Sequence, residues 1–490
     1  MRRVRICVFF VLCVSVMFVS AVIAQKKTRY DPADDPRVID AINAWSEWVE
    51  YQLAINNVPG ASVGVIYDQE LLFAKGYGYA NPIKERPAAP DTIYSICSNS
   101  KLFTSIAVMQ LRDAGKLRLD DALAKHLEWF AIKDVYPNDE PISIRRILTH
   151  SSGLPRESCF PYWSDPDFPF PTHDEIVKRL GDQVTLYPSG RYYQYSNLGI
   201  TLAGEIVAAV SGRPFDEYIR TEILNPLNMK DTFTEIPAVH HGERMAIGYS
   251  ARKRDGMRDA LPLFQTRGIA PAAGFASTVE DLARFVSWQL RLLGKDGNEV
   301  LRSATLREMH RVHWVDPDWK TTWGLGFVVR HVGESTFIEH GGACPGYYSQ
   351  VTIEPKYKLG IIVLSNAIGT EVDFYVEKAI ELVGPVVAAA VKDPEAVPER
   401  DPNLDRYVGI YDTIWGQEAV VRWEDGLAHL SLSTRNPKSS LTKLKKVGEH
   451  TFRRIRDDDG SLGETFFFEV SEDGKVTRMQ QHSNWSTKVR

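Results

Sequence analysis

An antiparallel sheet flanked by helices, with an all-helical domain inserted into it and a small C-terminal β-barrel after it, is the α/β fold that this 490-residue sequence predicts. Three observations carry that expectation. Strand-like runs stand at both ends of a long first unit, near residues 61–79 and 328–366, with mostly helical signals between them. A stretch with three prolines, Lys392 to Asn403, then interrupts the pattern. Beyond it come short strand-like runs parted by turns, as in a small barrel or sandwich. The length agrees, because a chain of this size exceeds one compact core and suggests two or three units.

The chain opens with Met-Arg-Arg-Val-Arg ahead of an apolar run from Ile6 to Ala24, and Val22-Ile23-Ala24 before Gln25 resembles a small-residue cleavage site. Residues 1–24 therefore read as an export signal. An uncleaved anchor is the competing reading, since 19 mainly apolar residues just span a bilayer. Either way the body is expected outside the cytoplasm, periplasmic or secreted, and attached to a membrane only if that segment stays.

After a polar lead-in, Ile39, Ile42, Trp45, Trp48, Val49 and Leu53 recur at helical spacing up to Ile55. Pro59-Gly60 ends that helix, and Ala61 to Tyr67 and Leu71 to Tyr79 read as a hairpin turning at Asp68-Gln69. Helical signals dominate from Lys101 to about residue 290. They are broken by a loop rich in proline and aromatics, Arg156 to Thr172, of the kind that borders a site or fills a surface. Strands are expected at Val328 to Val332, Ser335 to Glu339, Tyr348 to Glu354 and Leu359 to Asn366, and an apolar helix, Val372 to Val391, closes the unit. The domains are thus 36–391, a linker over 392–403, and a barrel over 404–490. Its expected strands are Tyr407 to Tyr411, Glu418 to Trp423, Ala428 to Leu432, Leu441 to Val447, Thr451 to Ile455, Thr465 to Val470 and Val476 to Gln481.

Apolar content of 44% and charged content of 25% are ordinary for a globular protein, and a net charge of −5 argues against a nucleic-acid partner. Cys7 and Cys13 fall in the signal. Cys97, Cys159 and Cys344 remain, so at most one internal disulfide forms. Cys97 and Cys344 read as small buried packing residues. No His/Cys cluster has zinc spacing, and neither a metal nor another cofactor is expected.

The chemistry concentrates in Tyr94-Ser95-Ile96-Cys97-Ser98-Asn99-Ser100-Lys101, which leads into an apolar run ending near Gly115. That run is too short for a membrane and reads as a buried helix with Ser98 at its N-terminal end. At i and i+3, Ser98 and Lys101 share one face. The helix N-terminus favours an alkoxide and a neutral amine. An ordinary lysine, with a pKa of about 10.4, is protonated at neutral pH and useless as a base, but burial lowers that value. A nucleophilic serine with a lysine base is acyl-enzyme chemistry. The spacing alone is weak evidence, since Ser440-Leu441-Thr442-Lys443 repeats it in the strand-rich tail without a buried helix behind it.

Downstream stand Tyr195-Ser196-Asn197 and His340-Gly341-Gly342. Each recurs elsewhere, as Tyr79-Ala80-Asn81, Tyr136-Pro137-Asn138 and His240-His241-Gly242, so order and surroundings decide. Taken in order, the three resemble the signature of serine β-lactamases and penicillin-binding proteins, in the class C-like branch that includes D-aminopeptidases, DD-peptidases and esterases. Leu148-Thr149-His150-Ser151-Ser152-Gly153-Leu154-Pro155, Tyr187-Pro188-Ser189-Gly190, Gly274-Phe275-Ala276-Ser277-Thr278 and Trp323-Gly324-Leu325-Gly326 resemble further segments of that family. The tail opening Leu404-Asp405-Arg406-Tyr407-Val408-Gly409 looks like the lipocalin-like domain of some relatives, where it covers the cleft or mediates assembly.

The resemblance implies a β-lactamase/transpeptidase-like fold and assigns roles. Ser98 is the nucleophile, and Lys101 and Tyr195 share its proton, with Tyr195 then serving the leaving group and the deacylating water. Asn197 contacts Lys101 and the substrate amide, and His340, Gly341 and Gly342 line the substrate. The N–H groups of Ser98 and Ala343 form the oxyanion hole. His150 reads as structural. One departure matters: a class C β-lactamase has Lys-Thr-Gly where this chain has His340-Gly341-Gly342, and a histidine near its ordinary pKa of about 6.5 is mostly neutral. The expectation is an exported serine hydrolase acting on peptides, including D-amino-acid peptides, or on esters. A class C-like β-lactamase and a penicillin-binding or sensor protein with little turnover are the alternatives. The partners are a small peptide, β-lactam or ester, and the sequence leaves the oligomeric state open.

Overall fold

Asp35 sets the start of the first long helix. Its carboxylate accepts from the Arg37 N–H and Pro36 fills the first turn, so α1 runs Pro36–Ile55. The computed structural model describes residues 30–490, and the predicted export signal lies outside the described residues. Among those described, no helix is long and apolar enough to cross a membrane.

Nine strands form one sheet: β1 (Gly60–Tyr67), β2 (Glu70–Asn81), β3 (Arg86–Pro87), β4 (Trp314–Val315), β5 (Thr322–Trp323), β6 (Val328–Val332), β7 (Ser335–Cys344), β8 (Tyr347–Glu354) and β9 (Leu359–Ser365). Their order is β3-β2-β1-β9-β8-β7-β6-β5-β4, every neighbour antiparallel. The early hairpin and the late meander join where Ala61 pairs with Ser365. Sheet residues from the two ends of the unit thus meet, with the helices between them, as expected. β9 is buried along its whole length because helices cover both faces, which explains its unbroken apolar sequence.

Alternate side chains of the central strands divide between two cores. Val63, Val65, Ile361 and Val363 meet α1 and the closing helix α5 (Val372–Lys392). Ile66, Ile362 and Leu364 face the other way, towards α4 (Val279–Gly294) and the inserted helices α2 (Ser100–Asp113) and α3 (Asn197–Ser211). Close approach of α4 requires a glycine beneath it: a Cβ on Gly360 would lie 2.2 Å from Val286 Cγ1. On the far side of α4, Phe103 of α2 stacks on Phe285 at 4.5 Å between ring centroids. Helix α2 therefore sits on the face of the sheet opposite α1.

The tail is a closed barrel of eight strands, β10 (Gly409–Thr413), β11 (Gly416–Trp423), β12 (Gly426–Ser431), β13 (Thr442–Lys446), β14 (Thr451–Ile455), β15 (Leu462–Val470), β16 (Val476–Gln481) and β17 (Asn484–Lys488). Seven correspond to expected strands. The eighth, β17, has one buried residue, Ser486, and so lacks apolar alternation, yet it closes the ring by pairing Lys488 with Tyr411. Aromatic and aliphatic side chains, among them Tyr411, Phe452, Phe466, Phe468 and Met479, fill the interior.

The barrel docks behind the sheet, on α1 and α5. Ile410, Ala419, Val421, Ala428, Leu430 and Leu432 share one core with those helices. The Trp48 indole donates to Thr434 O at 2.8 Å and Gln52 to Leu432 O at 2.7 Å. The predicted linker is tied down as well, with Arg37 donating to the carbonyls of Asp393 and Ala396. Among the described residues, the barrel's apolar flank packs on α1 and α5, on the face of the sheet opposite α2.

Trp48 is fully buried and packs edge-on to Phe374 and Tyr375 as well as reaching the barrel. Trp48→Ala should therefore cost about 3–5 kcal/mol of stability. Urea unfolding followed by circular dichroism checks this, and a loss under about 1 kcal/mol would contradict the shared core.

Candidate active site

Cys97–Asn99 forms a short 3-10 turn that feeds directly into α2, so Ser98 stands just before the helix and Lys101 lies within its first turn. Cys97 takes φ +51, a left-handed conformation unusual for a side-chain-bearing residue. The turn is held by its neighbours: Ile96 N–H donates to Phe275 O at 2.9 Å, and Phe275 N–H to Ser100 Oγ at 2.9 Å.

Lys101 is wholly buried. Its Nζ lies 3.1 Å from Ser98 Oγ, 2.8 Å from Asn197 Oδ1 and 2.7 Å from Ala272 O. Burial drives its pKa well below the ordinary lysine value; Glu157 pushes it back up and Arg156 pulls it down. The partners fix where the lone pair of a neutral amine points. Asn197 Oδ1 and Ala272 O only accept, so they take the two N–H bonds and leave the lone pair to the Ser98 hydroxyl.

The orientation of Asn197 is fixed in turn by a residue that sequence reasoning missed. Glu157 accepts from Asn197 Nδ2 with both carboxylate oxygens, at 2.9 and 3.0 Å, which turns Oδ1 towards Lys101. Tyr162 donates its hydroxyl to the same carboxylate. The one available signal was the position of Glu157 in the Arg156 to Thr172 loop, which here does border the site.

Tyr195 caps the other side. Lys101 Nζ lies 4.9 Å from its ring centroid, and His150 stacks on it at 4.3 Å. Burial raises the Tyr195 phenol above its ordinary value, with Ser98 pulling the other way. His150, read from the sequence as structural, is wholly buried and lies against the second motif. Its Nδ1 accepts from Ser196 N–H at 3.1 Å and its ring supports Tyr195.

The third motif lies on β7. β6 pairs only with Ser335 to Glu339, so His340 to Cys344 has an open edge on that side. Gly342 passes the nucleophile turn so closely that a Cβ there would lie 2.2 Å from Ile96 O and from Ser349 Oγ. At Gly341 the added atom would lie 2.8 Å from Gln350 Oε1. His340 is buried, and its Nδ1–H donates to Gly341 O at 2.6 Å. Burial, Lys101 nearby adding to it, pushes its pKa down to about 3. It is a neutral ring and offers no cation. Beyond Ala343 opens a mainly apolar pocket of about 400 Å³ lined by Trp163, Phe168, Leu261 and Tyr348.

One expectation is overturned. Cys97 and Cys344 are joined as a disulfide, with Cα atoms 5.7 Å apart, and are not separate packing residues. The close passage at Gly342 brings the two backbones within bridging range. The bond couples the residue before Ser98 to the residue after Ala343. Cys159 remains free and exposed. Ser98 and Lys101 from the start of α2 and the turn before it, Tyr195 and Asn197 from the approach to α3 and its first residue, and His340, Gly341, Gly342 and Ala343 from β7 thus converge, while the second Ser-x-x-Lys match lies in the barrel.

The Beta-lactamase family profile matches residues 45–384. The chain belongs to the Beta-lactamase family. A second profile, a domain of unknown function (DUF3471), matches 393–490. Beta-lactamase-like protein 2 of Dictyostelium discoideum is 24% identical over 530 residues, covering 100% of this chain and 95% of that protein. Protein flp of Staphylococcus aureus (strain MW2) is 27% identical over 366 residues, 71% of this chain and 66% of that protein. Among solved structures, the octameric penicillin-binding protein homologue from Pyrococcus abyssi matches with a TM-score of 0.62 at 23% identity, over 91% of this chain and 100% of that one. The beta-lactamase/D-alanine carboxypeptidase from Yersinia pestis matches at 0.59 and 22%, over 71% and 99%. The D-stereospecific amidohydrolase from Streptomyces sp. matches at 0.56 and 22%, over 69% and 97%. At these identities the likeness is one of fold.

For this Beta-lactamase family member, Gly342→Ala is the sharpest test of the close passage of β7. An added methyl must push the strand off the nucleophile turn and displace the Ala343 N–H. Hydrolysis of the best substrate should fall by at least about 100-fold in kcat, as for loss of one oxyanion donor. Unchanged kcat would contradict the packing described.

Proposed function

We propose that this chain is an exported serine hydrolase that forms an acyl-enzyme on Ser98 and acts on peptides, including those with D-amino acids, or on esters. The observation that carries the reading is the set of partners around Lys101. Two of them only accept, so the free lone pair of the buried amine faces the Ser98 hydroxyl.

In this mechanism Lys101 takes the Ser98 proton as the oxygen attacks the carbonyl carbon. The N–H groups of Ser98 and Ala343 receive the developing oxyanion. Tyr195, whose raised pKa keeps it a phenol, passes a proton to the leaving group while Lys101 restores it. Water entering the vacated side is deprotonated by the same pair and releases the acid. His340 cannot supply the cation that a Lys-Thr-Gly motif would, which favours peptide and ester substrates over β-lactams. The similar structures support a D-amino-acid substrate through the D-stereospecific amidohydrolase from Streptomyces sp. and the beta-lactamase/D-alanine carboxypeptidase from Yersinia pestis, the second of which is equally a beta-lactamase by name.

Purified residues 25–490 should hydrolyse a short-chain aryl ester or a D-alanyl peptide amide faster than a chromogenic cephalosporin. Ser98→Ala should lose at least about 1000-fold on every substrate. Full activity in Ser98→Ala would overturn the mechanism, and cephalosporin as the fastest substrate would overturn the substrate class.

A further inference from the structure

The proton donor stands outside regular structure. Tyr195 comes two residues before α3, so no helical hydrogen bond fixes it, yet its hydroxyl has to come within about 2.6–3.2 Å of the leaving atom. A residue on another segment holds this stretch at three points. His150 O accepts from Gln194 N–H at 2.7 Å, and His150 Nδ1 accepts from Ser196 N–H at 3.1 Å. Between them the imidazole lies on the Tyr195 ring at 4.3 Å, with the two planes 31° apart. The residue before the tyrosine, the residue after it and its ring are thus all set by His150. That residue takes φ +52, a left-handed conformation uncommon where there is a side chain, and its turn is anchored on both sides. Leu148 O accepts from Gly326 N–H at 2.9 Å, and Ser151 O from Gly190 N–H at 2.7 Å. Trp323 meets the imidazole edge-on at 4.6 Å.

The chemistry of the ring separates this role from the filling of space. Because Nδ1 accepts, the hydrogen sits on Nε2, and among the described residues that N–H meets no acceptor. A buried donor left unpaired costs about 1–3 kcal/mol, so packing alone would favour a phenylalanine here. What the imidazole supplies and a phenyl ring cannot is the Nδ1 acceptor. Burial holds the ring neutral, as that role requires, with Lys101, His340 and Arg156 adding to the effect.

We propose that His150 is the positioning residue for the Tyr195 proton donor, so that its contribution to turnover scales with how much the departing group needs a proton. The proposal rests on the hydrolase reading above and concerns that same site. In acylation of an ester, Ser98 Oγ bonds the carbonyl carbon and the bond to the leaving oxygen breaks. That oxygen takes the Tyr195 proton, and Tyr195 regains one from Lys101, which holds the proton given up by Ser98. A nitrophenolate is a weak base and leaves without the proton, whereas an alkoxide needs it. A misplaced Tyr195 hydroxyl therefore spares the first and slows the second, and a displacement of about 1 Å is enough to cost about 100-fold.

The test uses two phenylacetyl esters, p-nitrophenyl and ethyl, with purified residues 25–490, and reads kcat/KM, which reports the steps through acylation. His150→Phe keeps a ring and removes the acceptor. It should lose at least about 30-fold on the ethyl ester and less than about threefold on the p-nitrophenyl ester. His150→Asn, which places an oxygen near the position of Nδ1, should keep part of the ethyl-ester turnover. In a Tyr195→Phe background the His150→Phe change should cost little more on either ester, because it acts through a hydroxyl already removed. Equal losses on the two esters, or an ethyl-ester loss just as large in the Tyr195→Phe background, would overturn the positioning role and leave the hydrolase reading intact. Silence of the wild type on both esters would remove the hydrolase reading itself, and the positioning role with it.

Discussion

The proposed mechanism depends on one amine kept out of water. Lys101 serves as the proposed base because burial opposes its charge, and it is wholly buried where α2 packs against α3 in the core on that side of the sheet. An unpaired buried amine would be costly, so its N–H bonds must find acceptors. Ala272 O and Asn197 Oδ1 meet that need and, in doing so, aim the remaining lone pair at Ser98. Stability and chemistry make the same demand here.

A second constraint is the distance between the nucleophile turn and β7. In the proposed mechanism two donors from separate elements point at one oxygen, and the passage of β7 past the Ser98 turn tolerates no added atom at Gly342. Gly342 allows the approach, Ser349 Oγ donates to Ile96 O at 2.8 Å, and the Cys97–Cys344 disulfide fixes the two backbones covalently. Such a bond belongs to an oxidising compartment, which agrees with the proposed export. The barrel contributes from a distance, by covering the outer face of α1.

Much of this was legible in the sequence, for physical reasons. Helix α1, the first hairpin, the late meander and α5 carry strong periodicity, and each lies within a few residues of its expected bounds except β7, which runs five residues past the expected Glu339 to Cys344 and so takes in the third motif. Ser98 and Lys101 share a helix face by spacing alone. What could not be read depends on contacts between distant residues. Glu157 meets Asn197 across 40 positions, and its role exists only after the loop folds back. The disulfide spans 247 residues, so no local pattern announces it. β17 shows almost no apolar alternation and is a strand only because closing the ring gives its backbone two partners. His150 reads as structural in the sequence, and its contact with Tyr195 is a tertiary event.

The most direct test of the neutral-amine account is the pH dependence of Ser98 acylation itself, measured with an uncharged fluorophosphonate so that substrate ionisation plays no part. Protonating Lys101 removes the base, so the rate should fall on acidification. Because its pKa lies well below the ordinary value, the acid limb should have its midpoint well under about 10.4 and level off above that midpoint. A rate that instead climbs tenfold per pH unit all the way to the ordinary lysine value would mean that Lys101 is charged in the resting site, and would contradict the account.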